Sequence, residues 1–493
     1  MSSSQTPATN TFTPDALLSA MDHEVAACSP GQFPQTDKDA KCYWIDNFPI
    51  DLDRRFAGVA PPQDVEADIV IIGSGITGAV VAWRLAQQQP DLRVVVLEAR
   101  GISSGATGRN GGHICRPEVF DYRELATTFG PEDALRIRGL LLKSRDMMLE
   151  SVAELGAADK VDLRLDGTIV VFENEEERQK FQGDLAAARE QGYKEECYTL
   201  TPEETLNKLP IPAEQARFGS SYLEKSGTVY PRKLVSVLFE AALERMPNLT
   251  LHPNTPVSQV SQVAAKAGSS SSPTYVVTTD AGHAVKTKTV FHATNGYANY
   301  LMPSLRGKKG VVGCLAHMLG VQPPNNNTQE TTVQQQLNHG FGYADFWHWI
   351  QQRPKGGPFL YGLATAECMN EYNDCATLPD DHPVRQDMYQ FLAKTFCEWF
   401  PNGVDVAKHV EYDWTGIQGF TADGASIVGR PNPGSPGEFA SVGHNGEGMT
   451  RCFACSTVAT GMILDYLRGE KEIKAPDWFP RAFFRDEVAW PSQ

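Results

Sequence analysis

Positive charge is scarce in this sequence. Lys and Arg total 44 against 60 Asp and Glu, a net charge of −16 over 493 residues. A protein that grips nucleic acid by its phosphates needs a basic face, so no nucleic-acid partner is expected. An acidic surface serves mainly solubility, and any anionic partner has to be met by locally placed positive groups. Long apolar runs are missing as well. The most apolar window, residues 67–83, is interrupted by Asp68, Gly73, Gly75 and Gly78, whereas a membrane helix needs about 20 apolar residues in succession. Residues 1–13 are rich in Ser and Thr, with no basic residue ahead of an apolar stretch, and the chain ends Trp490-Pro491-Ser492-Gln493 rather than in a Ser-Lys-Leu address. No membrane contact is expected, and a cytoplasmic location is. Clustered cysteines are also lacking. The ten cysteines are scattered apart from Cys452 and Cys455, and a metal site needs two such pairs or added histidines. No metal is expected.

What is present is a folded chain, 41% apolar and 21% charged, long enough for about three units of roughly 150 residues. Residues 1–65 read as an irregular arm with Pro30, Pro34, Pro49, Pro61 and Pro62. Residues 67–72 are apolar apart from Asp68, the pattern of a parallel strand buried on both faces. Apolar positions 76, 79, 80, 83 and 86 then mark one face of a helix, and residues 93–97 a second strand. Strand, glycine turn, helix and strand make a βαβ unit. Helices are expected over 122–156, 173–192, 232–245 and 387–400, with Thr201-Pro202-Glu203-Glu204 opening another. Strands are expected over 163–172, 257–263, 275–279 and 285–292. Residues 268–273 read as a disordered serine-rich loop. A strand-rich region follows at 310–364 with a hairpin tip at 354–358, and a glycine-rich loop within 441–469 leads into a last helix.

Two glycine-rich motifs carry chemistry. Gly73-Ser74-Gly75-Ile76-Thr77-Gly78 closes the first strand and opens the first helix. The first glycine permits the tight turn, the second lets a pyrophosphate approach the backbone, and the third lets helix and strand pack closely. The helix N-terminus supplies N–H groups and a partial positive charge, the local attraction that the acidic composition lacks. Glu98 follows Gly78 at the end of the second strand, where a carboxylate accepts bonds from ribose hydroxyls. Together these predict dinucleotide binding. The second motif is the run 103–113, with Ser104, Ala106, Thr107, Arg109, Asn110, Gly111 and Gly112. Alone it could be a surface loop; just past Glu98, its backbone N–H groups suit a phosphate.

These motifs resemble the D-amino-acid oxidase superfamily of FAD oxidoreductases, in the branch of the glycine, sarcosine and γ-glutamylputrescine oxidases. Ser-Gly-Ala-Thr-Gly-Arg-Asn-Gly-Gly (104–112) looks most like the last type. The resemblance covers most of residues 65–470. Gly227-Thr228-Val229-Tyr230-Pro231 matches the segment before a helix, Thr255-Pro256-Val257 the strand meeting adenine, and Ala293-Thr294-Asn295-Gly296 a strand end returning to the dinucleotide. The segment 414–424, with Gly419, resembles the approach to the flavin, and Gly443-His444-Asn445-Gly446-Glu447-Gly448-Met449 the loop over its pyrimidine end. On this resemblance FAD is held by Gly73 to Gly78, by Glu98 and Ala99, by the loop residues from Ser104 to Gly112, and by Val257, Ala293, Thr294, Gly296, Gly419 and Asn445 to Met449.

The resemblance implies an α/β fold: a doubly wound, Rossmann-like, glutathione-reductase-type FAD domain (66–120, 210–300 and 410–470) interleaved with an antiparallel-sheet α+β substrate domain (121–209 and 301–409), flanked by the arm 1–65 and a tail 471–493. It implies oxidation of a C–N bond in a small amine or amino acid, by hydride transfer to flavin and imine hydrolysis, with O2 reduced to H2O2. Non-covalent FAD is expected, because no cysteine stands at 417–421 and Arg109 aligns near the linking histidine; His113 and Cys115 remain as attachment points. Thr450 aligns near a carboxylate-binding lysine, with Arg451 adjacent, and Glu447 replaces a family histidine. No lysine occurs in 359–367 to assist O2. An amine dehydrogenase with another acceptor, an NAD(P)H-dependent enzyme and a non-catalytic flavin-fold protein are the alternatives.

The catalytic residues are left open among five. A strand over 341–349 would place Tyr343, Asp345, Trp347 and Trp349 on one face and His348 on the other, to hold an amine cation or simply to pack against helices. Arg109 and Arg116 could each meet a substrate carboxylate, or serve phosphate or structural pairing. Glu447 and His444 stand where the last loop would approach the flavin; Glu447 could draw an amine, tune the flavin, or be a solvated loop acid.

Overall fold

A computed structural model describes residues 41–62, 66–116, 119–194, 197–263, 274–306, 310–323, 336–344, 347–364, 386–401, 406–432, 434–470 and 472–486. The expected loop 268–273, Asp345, and residues 1–40 of the arm lie outside them.

Two short helices, α1 (Tyr43–Asp46) and α2 (Asp51–Arg55), precede the βαβ unit. That unit is β1 (Ala67–Ile72), α3 (Ile76–Gln88) and β2 (Val94–Leu97), parallel, with Ile69 opposite Val94. Two helices, α4 (Tyr122–Phe129) and α5 (Pro131–Glu154), lead to β3 (Thr168–Val171) and α6 (Glu175–Glu190). Then come β4 (Cys197–Leu200), α7 (Pro202–Lys208), β5 (Ser220–Leu223), α8 (Pro231–Arg245) and β6 (Leu249–His252). Helix α7 starts at the expected cap: Thr201 and Glu204 form a reciprocal capping box. Strands β7 (Val257–Val263), β8 (Thr274–Thr279) and β9 (Ala284–His292) form a meander. Next are β10 (Val312–Val321), β11 (Gly340–Tyr343), β12 (His348–Gln352), β13 (Phe359–Leu363), α9 (Gln386–Trp399) and β14 (Val410–Phe420). The chain closes with β15 (Ile427–Gly429), β16 (Glu438–Val442), α10 (Gly448–Leu467) and β17 (Phe484–Arg485).

Among the described residues the strands form two sheets. The first has the order β17-β15-β16-β9-β1-β2-β6, with β8 and β7 attached to β9, and its centre from β16 to β6 is parallel. Every residue of β2 and all of β1 but Asp68 are buried, because α3, α8 and α10 pack in one core with the sheet. The second sheet has the order β14-β10-β13-β12-β11-β3-β5-β4, antiparallel except between β11 and β3. The α/β fold with two sheets is the one the sequence implied. Strands β5 and β14, expected in the cofactor unit, hydrogen-bond within the second sheet instead.

Two expectations change. The arm is not irregular where it is described: Trp44 is 0% and Leu52 2% exposed, and both lie in core clusters. Truncating a buried Trp typically costs about 3–5 kcal/mol, so α1 belongs to the fold. The aromatic segment is not one strand either. Ala344 has φ +49, and β11 and β12 pair antiparallel with Tyr343 opposite His348. A left-handed residue ends the period of two, so the segment folds back on itself.

Candidate functional site

Strand β1 delivers Gly73 to the mouth of α3, with φ +105. A Cβ at Gly78 would stand 2.1 Å from the Gly73 carbonyl oxygen, and one at Gly75 3.0 Å from Thr107 Oγ1. Only glycine lets helix and strand close at 78 and keeps the helix end open at 75. Gly75 caps α3 without a side-chain bond; the Ile76 N–H donates to Thr107 Oγ1 at 3.0 Å. The Thr77 and Gly78 N–H groups precede the first helical bond, from Ala79 N–H to the Gly75 carbonyl.

Glu98, at the end of β2, accepts from the Ser74 N–H (2.9 Å), the Ser74 hydroxyl (2.7 Å) and the Arg100 N–H (3.0 Å). The carboxylate is thus aimed by its neighbours. Gly73 to Thr77, Glu98, Ala99, Ala106, Thr107, Arg109, Asn110, Val257, Ala293, Thr294 and Gly296 all line one cavity, with Gly446, Gly448 and Met449. A glycine-bared helix end and an oriented carboxylate in one cleft are the donor and acceptor set of an adenine dinucleotide. The residues fit FAD, with Glu98 for ribose hydroxyls and the α3 N-terminus and following loop for phosphates.

A second cavity shares Asn110, Trp349, Gln418, Gly446 and Met449 with the first. Its other walls include Arg116, Trp347, Phe420, Asn445, Glu447 and Thr450. Trp347 and Phe420 lie nearly parallel, 6.4 Å apart at 18°. Burial alone would raise the Glu447 carboxyl, but Arg451, Arg116 and Arg138 pull it down to about 2. Burial, then Arg451, push the His444 imidazole down to about 3; its Nδ1 lies 3.2 Å from Ser426 Oγ. Burial holds His113 down to about 4, with Nε2 3.2 Å from the Ile350 carbonyl.

The structure brings most of the expected residues together and separates some. Tyr343 lies elsewhere: it stacks on His348 and Trp399, 4.1 and 4.3 Å between ring centroids, and its hydroxyl is 2.7 Å from that of Tyr361. Gly111 and Gly112 line the second cavity rather than the first. A Cβ at Gly111 would fall 2.3 Å from Trp349 Cδ1, so the indole requires that glycine. Arg109 donates to the carbonyls of Ser104 (2.8 Å) and Thr415 (3.0 Å), which ties the loop to β14. Ser104 and Gly419 line neither cavity; the Gly419 carbonyl accepts from the Asn445 N–H at 2.8 Å. Glu447 is not a solvated loop acid, since three arginines surround it.

Sequence reasoning missed Asn295, whose Oδ1 accepts from the Gly443 (3.1 Å) and His444 (3.3 Å) N–H groups and so ties the two cofactor-side loops together. Its signal was present: Asn-Gly favours positive φ, and Asn295 has φ +40. Gln418, shared by both cavities, carries no such local mark. Cys452 and Cys455 are buried thiols in α10, and burial raises both, Cys452 to about 12. Among the described residues no group of three or more His, Cys, Asp or Glu side chains is placed to hold a metal ion, and no helix is long and apolar enough to cross a membrane.

The family profile described as "DAO: FAD dependent oxidoreductase" matches residues 68–462. Gamma-glutamylputrescine oxidoreductase of Escherichia coli is 25% identical over 423 residues, 83% of this chain and 85% of its own. Glycine oxidase of Geobacillus kaustophilus is 28% identical over 177 residues, 36% of this chain and 43% of its own. The crystal structure of that glycine oxidase superposes with a TM-score of 0.61 at 21% identity, covering 83% of this chain and 96% of the other. L-proline dehydrogenase from P. horikoshii gives 0.63 at 19% identity over 86% and 98%.

Proposed function

The chain belongs to the DAO family of FAD-dependent oxidoreductases, and from that premise we propose that it oxidises a C–N bond in a small amine or amino acid bearing a carboxylate, with O2 as electron acceptor. The relatives named for γ-glutamylputrescine and glycine act on nitrogen compounds, which favours this substrate class. The observation that carries it is the second cavity, which shares walls with the cofactor cleft and is lined by Arg116 and by the paired rings of Trp347 and Phe420.

When bound, FAD supplies the two-electron acceptor that converts the C–N single bond to an imine, which water hydrolyses, and its reoxidation by O2 yields H2O2. The chain's own residues bind and orient. Arg116, held by Glu447 through Nε and Nη2 at 3.1 Å, carries the positive charge in the second cavity's wall that attracts a substrate carboxylate. Trp347, Trp349 and Phe420 exclude water around the carbon to be oxidised. Burial holds His113 and His444 neutral, and the neighbouring arginines hold Glu447 ionised, near pH 7, so none of the three changes charge there. FAD is held non-covalently, by the α3 N-terminus, the loop after Glu98 and Asn295-tethered backbone.

The experiment is anaerobic titration of the flavin absorbance with a panel of amines and amino acids, then stopped-flow mixing with air. Bleaching by a carboxylate-bearing amine and fast return of the colour in air are expected. Bleaching by no member of the panel, or by NADPH alone, overturns the assignment. Bleaching with slow return in air points to a dehydrogenase with another acceptor.

A further inference from the structure

From Gly101 to Gly111 every backbone carbonyl accepts a hydrogen bond. Several are satisfied within the loop, by Ser104, Gly108, Arg109 and Asn110. The others are taken by donors from distant parts of the chain. Arg232 bonds Ile102 and Ser103 (2.9 and 3.1 Å), Cys42 bonds Gly108 (3.2 Å), Trp414 bonds Arg109 (2.9 Å), Trp44 bonds Asn110 (2.6 Å), and Gln351 bonds Gly111. None of these five donors lines either cavity.

A trans peptide unit points its C=O and its N–H in opposite directions. A carbonyl held on the outer side of the loop therefore turns the next residue's N–H towards the inner side. Trp414 does this for the peptide between Arg109 and Asn110, and Trp44 for the one between Asn110 and Gly111. Asn110 lines both cavities and Gly111 the second only, so the Asn110 N–H is turned to the junction of the two cavities and the Gly111 N–H to the second-cavity side of that junction. Left to itself, a glycine-rich loop could flip these peptides and aim carbonyl dipoles at an anionic or electron-rich cofactor.

Trp44 and Cys42 precede the dinucleotide fold, and the family match begins only at residue 68. Trp44 is held in turn: the Tyr230 hydroxyl donates to its carbonyl at 3.0 Å, Tyr230 and Tyr43 contact its ring edge-on, and the Arg353 guanidinium stands 5.0 Å from the ring centroid. Burial pushes the Cys42 thiol up to about 11, which keeps it a donor at physiological pH.

We propose that Trp44 is a positioning residue for FAD: it locks the peptide plane between Asn110 and Gly111 so that the Gly111 N–H faces the junction of the two cavities, while Cys42 anchors the turn before it through the Gly108 carbonyl, the Arg109 N–H being bonded to the Ala106 carbonyl. The segment around α1 is then a part of the cofactor site that the dinucleotide motif does not include.

Trp44→Phe keeps an aromatic ring at this buried position, removes the Nε1–H donor and leaves a smaller side chain. In reconstitution of apoprotein followed by flavin fluorescence, the FAD dissociation constant is expected to rise roughly tenfold, with a changed visible circular dichroism of the bound flavin, beside the lower apoprotein melting temperature that the smaller buried ring brings. Cys42→Ala should raise the constant about threefold, and Cys42→Ser, which retains a donor, should restore it. Binding by W44F within about twofold of wild type with an unchanged dichroism spectrum overturns the proposal. So does a variant that only melts earlier. If W44F does not fold, the Cys42 pair tests the same loop through Gly108, and equal affinity of Ala and Ser at 42 overturns it.

Discussion

Arg116 and Glu447 meet at 3.1 Å in the wall of the second cavity, although 331 residues separate them. Glu447 also pairs with Arg451, one turn into α10, and feels Arg138 in α5. The contact joins the end of the loop after Glu98 to the start of the last helix. It commits Glu447 to cations of the chain itself, and it fixes Arg116 in the cavity wall that Trp347 and Phe420 also line.

Acid should expose this pairing. The Glu447 carboxyl is held at about 2 against an ordinary 4.5. A depressed folded-state pKa gives stability that is present above about pH 4.5 and lost as pH falls towards 2, on the order of 3 kcal/mol. Glu447→Gln should leave that acid limb flatter and, at pH 7, lower stability by about 3 kcal/mol by stranding Arg116 and Arg451. Chemical denaturation of both proteins between pH 2 and 7 measures it; parallel acid limbs contradict it.

Arg116→Ala should raise KM for a carboxylate-bearing substrate by about 10- to 100-fold, the loss of a charge-assisted contact. The FAD dissociation constant should not change. Arg116→Lys should recover only part of the loss, since an ammonium cannot be held by Glu447 through two nitrogens. Steady-state kinetics beside a flavin titration separate the two effects.

Two glycines of one motif should fail differently. Gly75→Ala adds a Cβ 3.0 Å from Thr107 Oγ1 at φ −70, which the backbone tolerates. It should fold and bind FAD at least about tenfold more weakly. Gly78→Ala puts a Cβ 2.1 Å from the Gly73 carbonyl oxygen. It forces α3 away from β1 and should lower stability by about 2–3 kcal/mol. Melting curves of the apoproteins and FAD titrations distinguish them.

Tyr343 and Trp347 should also part company. Tyr343→Phe loses the 2.7 Å bond to Tyr361 and should cost about 1 kcal/mol of stability with kcat/KM unchanged. Trp347→Ala opens the second cavity and should lower kcat/KM by about tenfold or more.

Acid precipitation of the holoprotein should leave the yellow colour in the supernatant. His113 is occupied with the Ile350 carbonyl and Cys115 with the Arg116 carbonyl, at 3.2 Å each. Colour in the pellet contradicts a non-covalent cofactor.

How far each of these features could be read from the chain depends on its range. The glycine turn, the first strand and Glu98 are local devices, and their spacing alone announces an anion-binding βαβ unit. The capping box at Thr201 and Glu204 is local for the same reason. The aromatic segment misled because periodicity carries no mark of Ala344 entering left-handed space. Glu447 looked like an acid free to act because its three arginines come from positions 116, 138 and 451.

By itself the sequence determined the dinucleotide motif, the alternation of elements and an acidic exterior with one local source of positive potential, since backbone conformation and net charge follow from neighbours and composition. Only the tertiary structure decided that Tyr343 leaves the chamber, that Arg116 and Glu447 share a wall, and that Trp44 reaches Asn110. Those facts rest on contacts between residues far apart in the chain, which packing of two sheets brings together and no local pattern encodes.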